Sequence, residues 1–119
     1  MVADCLAVLA GDTNPALVRP LAGHSADKYV DGKVHDDTYW FRVWALRALL
    51  WEWDATATAS VCAALGDESW RVREMAAKVV ARHLVGEALA IVADLRTDPV
   101  FRVRAAADRA LIRLTDAAA

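Results

Sequence analysis

Asp67-Glu68-Ser69-Trp70-Arg71-Val72-Arg73-Glu74-Met75-Ala76-Ala77 and Asp98-Pro99-Val100-Phe101-Arg102-Val103-Arg104-Ala105-Ala106-Ala107 are two versions of one stretch. Each opens on Asp, reaches an aromatic-Arg-Val triplet and continues with small residues. Thr38-Tyr39-Trp40-Phe41-Arg42-Val43-Trp44-Ala45-Leu46 carries the same triplet earlier in the chain. With Arg42, Arg71 and Arg102 as anchors, the copies stand 29 and 31 residues apart. After each anchor, apolar residues recur with a helical period rather than strand alternation. They are Leu46 and Leu50, then Met75, Ala76, Val79 and Val80, then Ala106, Ala107, Ala110, Leu111 and Leu114. Self-similarity at this spacing marks a stack of repeated helical units.

Shorter helical stretches lie between the anchors. One spans about 55–65, with Asp54 to cap it and Gly66 to stop it. Another spans about 87–96, after Gly86. Asp98-Pro99 reads as a cap followed by Pro at the first helical position, and Asn14-Pro15 repeats that signal. Val2 to Ala10 reads as one more short helix. A helix-turn-helix unit cannot bury its apolar stripe alone, and stacking on copies of itself does so. The expected fold is therefore all-α, a short right-handed α-solenoid of about three antiparallel helix pairs. One domain spans 1–119, with units at about 14–53, 54–84 and 85–116. Residues 1–13 form an N-terminal capping helix, and an insertion at 23–36 interrupts the first unit.

Composition agrees with close helix packing. The chain is 57% hydrophobic yet has only five Gly and three Pro, which excludes disorder and low-complexity classes. A formal charge of −2 argues against a protein drawn mainly to phosphate backbone. Cys5 and Cys62 sit in apolar helical patterns and read as small buried hydrophobes in a reducing compartment. The longest apolar runs are broken by charges, and Asp4 stands where a signal peptide would be basic. A cytoplasmic protein is expected.

The Asp-containing turn, the following Val-Arg and the Ala-rich second helix (Asp67, Val72-Arg73, Ala76-Ala77; Asp98-Pro99, Val103-Arg104, Ala106-Ala107, Ala110-Leu111) resemble HEAT repeats of the short, phycobilisome-lyase type. The resemblance covers the second and third units well and the first loosely. It implies a bacterial scaffold that binds other proteins. It also implies a ladder in which Asp67 and Asp98 pair with Arg73 and Arg104 across units. Trp44 stands where Arg73 and Arg104 stand, so the ladder is expected to end at the first unit.

A partner-binding face is expected along the second helices, because aromatic and Arg side chains dominate interface hot spots. Trp44, Trp70, Arg73, Phe101 and Arg104 are its candidates, with Tyr29 and His35 from the insertion behind them. Phe41, Trp70 and Phe101 are read as one repeated position, and packing between units is the plainer role for that row. Trp51 is read as core and Trp44 as exposed. Arg47 falls where Ala76 and Ala107 fall, and a buried guanidinium needs a carboxylate. Arg47 is therefore expected to anchor the insertion through Asp27, Asp31, Asp36 or Asp37.

Two other classes are weighed. Nucleic-acid binding would use an Arg and aromatic face, although acidic residues interleave with Arg73, Arg82, Arg104, Arg109 and Arg113. A small enzyme or metal site would use His24, His35, Asp36 and Asp37, whose spacing matches no standard ligand pattern. His83 reads as a charge partner for a helix C-terminus. No His-Glu pair of the HEAT-type iron hydroxylases, phosphate loop or nucleophile elbow occurs. A non-enzymatic protein or peptide scaffold without cofactor is expected, with apolar repeat ends suited to a homodimer.

Overall fold

The computed structural model describes residues 1–23 and 37–118, all of whose regular structure is helical. The α-helices are α1 (Val2–Leu9), α2 (Pro15–Ala22), α3 (Tyr39–Leu49), α4 (Thr58–Ala64), α5 (Trp70–His83), α6 (Leu89–Asp94) and α7 (Phe101–Ala118). Single 3-10 turns at Ala55–Ala57 and Gly86–Ala88 lead into α4 and α6. In one layer α3, α5 and α7 pack side by side. In the other, α4 lies on α5 and α6 lies on α7, while α1 and α2 share α3. Helix α1 packs on α3 and also touches α2 and α4.

The second helices begin at Tyr39, Trp70 and Phe101, which places successive copies 31 residues apart throughout. Buried columns follow that spacing. Phe41, Val72 and Val103 form one, and Ala45, Ala76 and Ala107, all 0% exposed, form another. The 29-residue spacing given by the aromatic-Arg-Val triplet is thus two residues out of phase in the first unit. Two residues rotate a helical face by about 200°, so side-chain assignments on α3 are inverted. Trp44, expected to be exposed, is 7% exposed and packs edge-on against Phe41 at 5.7 Å. Trp51, expected in the core, is 71% exposed. Phe41 belongs to the core, and Tyr39 is the true counterpart of Trp70 and Phe101.

Arg47 likewise falls in register with Lys78 and Arg109 rather than with buried alanines, and it is exposed. The buried guanidinium expected at that position is not there. Its Nη2 instead approaches the Leu21 carbonyl at 3.5 Å, at the end of α2. Residues 24–36 lie outside the described residues, and with them Asp27, Asp31 and Asp36, three of the four Asp side chains expected to hold Arg47.

Local signals start most elements where the sequence places them. Asn14 accepts the Ala16 N–H at 3.0 Å with Pro15 opening α2. Asp54 accepts the Thr56 N–H at 2.9 Å and also the Thr56 hydroxyl, which together hold its carboxyl below the usual range. Asp98 departs from expectation: α7 starts at Phe101, and Val100 supplies its first carbonyl. Pro99 drives the preceding Asp98 out of the helical region (φ −58°, ψ 141°). Its carboxylate then accepts the Val100 N–H at 2.9 Å, as Asp67 accepts that of Ser69 at 2.9 Å.

Helix α5 ends at Leu84, whose φ of 53° is left-handed, with its N–H donating to the Val80 carbonyl. A side chain at that conformation costs about 1 kcal/mol or more, and Gly avoids the clash. Leu84 is 42% exposed, so little packing is lost on truncation. Leu84→Gly is expected to raise stability by about 0.5–1 kcal/mol in urea denaturation.

Candidate partner-binding face

Of three arginines at one register position, Arg42, Arg73 and Arg104, the first two tie successive units together. Arg42 grips Asp67 with Nε at 2.8 Å and Nη2 at 3.2 Å. Arg73 grips Asp98 with Nε at 2.8 Å and Nη2 at 3.3 Å. In both cases the carboxylate lies 25 residues further along the chain. The Nη1 of Arg73 turns back to its own turn, donating to the Asp67 carbonyl at 2.8 Å and the Glu68 carbonyl at 3.1 Å. Arg104 donates Nη1 to the Asp98 carbonyl at 2.7 Å. Arg73 thus belongs to its own turn through carbonyls and to the next unit through a carboxylate, while Arg42 shows the second contact and Arg104 the first. The ladder does not stop at the first unit, because Arg42, not Trp44, is the register partner of Arg73 and Arg104.

Asp98 shows how the rung is balanced. Burial pushes its carboxyl up, but the Arg73 hydrogen bonds, the Val100 N–H and the charges of Arg73 and Arg104 outweigh burial and hold it below the ordinary range. The two cysteines behave differently. Burial pushes both thiols up, Cys5 being fully enclosed and Cys62, expected to be buried, only half-buried, and this disfavours the thiolate.

Beside the ladder, the first two residues of α3, α5 and α7 interleave. Arg71 lies over Trp40 at 5.2 Å and over Trp70 at 4.4 Å, and Arg102 lies over the same Trp70 at 5.3 Å. Arg102 also donates to Glu74 at 2.8 Å, the carboxylate being almost buried. Tyr39 and Trp44 extend the aromatic side through Trp40, with ring centroids 5.4 and 6.4 Å away.

At the opposite end of the same layer, α5 closes off α3. The Nε of Arg82 donates to the Leu50 carbonyl at 2.6 Å, and its guanidinium covers Trp51 at 4.2 Å. His83 donates Nε2–H to the Leu49 carbonyl at 2.7 Å and stacks on Trp53 at 4.5 Å. His83 therefore serves the C-terminus of α3 rather than that of its own helix.

Residues 26–112 match the family described as HEAT repeats. The chain belongs to the HEAT-repeat family. Comparison with curated proteins and with solved structures returned no match. HEAT repeats generally serve as protein-interaction scaffolds, and the family is typically non-enzymatic.

On this HEAT stack the candidate residues separate into distinct places. Trp70 is half-buried under two guanidinium groups, and Phe101 is 70% exposed with Arg104 over its ring at 5.7 Å. Arg73 is spent in the ladder, while Arg104 lies at the edge of α7. Trp44 is interior. Tyr29 and His35 lie outside the described residues, as do His24 and Asp36 of the alternative metal-site reading. Among the described residues no group of three or more His, Cys, Asp or Glu is placed to hold a metal ion, and no helix is long and apolar enough to cross a membrane.

The triplet register hid the basic columns of the second helices. With the 31-residue register, Arg47, Lys78 and Arg109 align, as do Trp51, Arg82 and Arg113. Trp40, Arg71 and Arg102 form a third column at the helix starts. All lie on the side of α3, α5 and α7 away from the first helices, each exposed or half-buried. Reading the Asp67-to-Asp98 spacing instead of the aromatic triplet would have found them.

Proposed function

We propose that this chain is a scaffold that binds an acidic segment of a protein or peptide on the solvent face of α3, α5 and α7. The observation that carries the reading is the set of three columns, whose nine positions hold seven Arg or Lys and two Trp with no carboxylate among them. Half of the fourteen basic residues of a chain with net charge −2 stand on this one face. Such a local field steers and orients an acidic partner without attracting polyanions over the whole surface. A guanidinium lying over a ring, as Arg71 lies over Trp70, keeps its N–H edge available to a carboxylate, and the aromatic surface beneath it excludes water. The nucleic-acid reading shares the positive charge. However, Arg71 and Arg82 cover the indole faces of Trp70 and Trp51 on which bases would stack.

The test is a photo-crosslinking side chain at Lys78 in the wild-type protein and in an Arg71→Glu/Arg82→Glu variant. A discrete acidic protein captured by the first and reduced about tenfold in the second is the expected result. Capture of nucleic acid, or capture insensitive to the charge reversal, would sink the reading.

A further inference from the structure

Arg104 carries one half of a site whose complete form occurs at Arg73. In Arg42 and Arg73 the Nε–Nη2 edge holds a carboxylate in two parallel hydrogen bonds. The Arg73 fork is aimed by its Nη1 bond to the carbonyl of its own turn, at 2.8 Å. Arg104 has the same aiming bond, at 2.7 Å, and the same half-buried stem. Yet no carboxylate among the described residues lies on its Nε–Nη2 edge. The fork is pre-oriented, which removes most of the ordering cost of binding.

The surroundings narrow the occupant. A groove runs along α7 past Arg104, lined by Arg96, Phe101, Ala105 and Ile112. Phe101 and Ile112 are 70% and 59% exposed, giving apolar ground on both sides of the basic one. A stacked helix pair does not suit this groove. Where α5 buries Ala77 against its neighbour, α7 carries exposed Asp108, held by Arg96 at 3.3 Å. A broad apolar surface laid there would bury that charge, whereas a single extended strand passes beside it.

We propose that the Nε–Nη2 edge of Arg104 is a carboxylate receptor for an Asp or Glu of a partner peptide, whose next apolar side chains rest on Phe101 and Ile112. The partner class rests on the scaffold reading above, but the receptor stands on the Arg104 geometry and fails or survives separately. A planar fork is required, so Lys is not an equivalent at this position.

The probe is the acetylated peptide of residues 97–101, Thr-Asp-Pro-Val-Phe, because this segment is what seats on Arg73. Its Asp→Asn counterpart is the control. Titration is followed by the 15N–1H signal of the Arg104 Nε group in the full chain. A saturable shift of that signal, about tenfold weaker binding of the Asn peptide, and a similar loss in Arg104→Lys are expected. A thermal melt of Arg104→Lys separates misfolding from loss of the receptor, and Arg104→Gln supplies a second variant. Equal affinity for the two peptides overturns the proposal. So does binding that is lost in Lys78→Glu/Arg82→Glu and retained in Arg104→Lys, an outcome that leaves the scaffold face standing. Concentration-dependent self-association removed by Arg104→Lys also overturns it, by making a second copy the occupant.

Discussion

Asp98→Ala is expected to destabilise the chain by about 3–4 kcal/mol and to lower its melting temperature by more than about 10 °C. The carboxylate is 5% exposed and takes two hydrogen bonds from Arg73 and one from the Val100 N–H. Its removal strands a guanidinium that is itself only 15% exposed, together with the amide that leads into α7. Asp98→Asn keeps one acceptor and loses the charge, so a smaller deficit follows. The sign of the pH dependence comes from the depressed carboxyl. In the unfolded chain Asp98 protonates near about 3.9, and in the fold it protonates lower. The stabilisation is therefore complete above about pH 4 and disappears as pH falls through the folded value. Urea denaturation from neutral pH downward measures this directly, and Asp98→Asn should flatten the acid limb. A deficit under about 1 kcal/mol for Asp98→Ala would show that the rungs are not a main polar tie between units.

Ala76→Leu should cost about 3 kcal/mol for the opposite reason. Ala76 is 0% exposed at the centre of α5, which is packed by α3 on one side and α7 on the other. Ala45 and Ala107 stand at the same level with no exposed surface. The column sets how closely the three helices approach, and a close-packed interior has no room for the added carbons. The helices must separate, which also strains the Arg42–Asp67 and Arg73–Asp98 grips at their ends. Equilibrium unfolding of Ala76→Leu beside Ala76→Ser separates the volume effect from the polarity of a hydroxyl. A stable Ala76→Leu protein with unchanged unfolding cooperativity would mean that the second helices are not in close register.

The helix-pair fold was legible because two of its units announce it three ways. Asp opens the turn, Val-Arg follows, and small residues recur at helical spacing. The first unit misled because Phe41-Arg42-Val43 has the same residue types as Trp70-Arg71-Val72 at a different phase. Residue type made the triplets look equivalent, whereas burial depends on phase, and a two-residue error exchanges inside for outside. Trp44 and Trp51 changed places for that single reason, and Arg47 moved from an assumed interior to the surface with them. The ladder residues were named from the resemblance, but the split of Arg73 between a near carbonyl and a distant carboxylate depends on side-chain direction. No linear pattern encodes that direction. The basic columns were hidden for the same cause as Trp51, since they emerge only when Arg47 is set beside Lys78 and Arg109.

The two-way grip of Arg73 also fixes how such a chain can lengthen. Residues 67–97 begin with the Asp that serves the preceding Arg and contain the Arg that serves the following Asp. A tandem copy of this block placed after Thr97 would offer its own Asp67 to the first Arg73, and its own Arg73 to Asp98. Every rung would find a mate, with no new sequence at the seam. The junction between units is thus written wholly inside each block, and growth by duplication requires no compensating change in the neighbours.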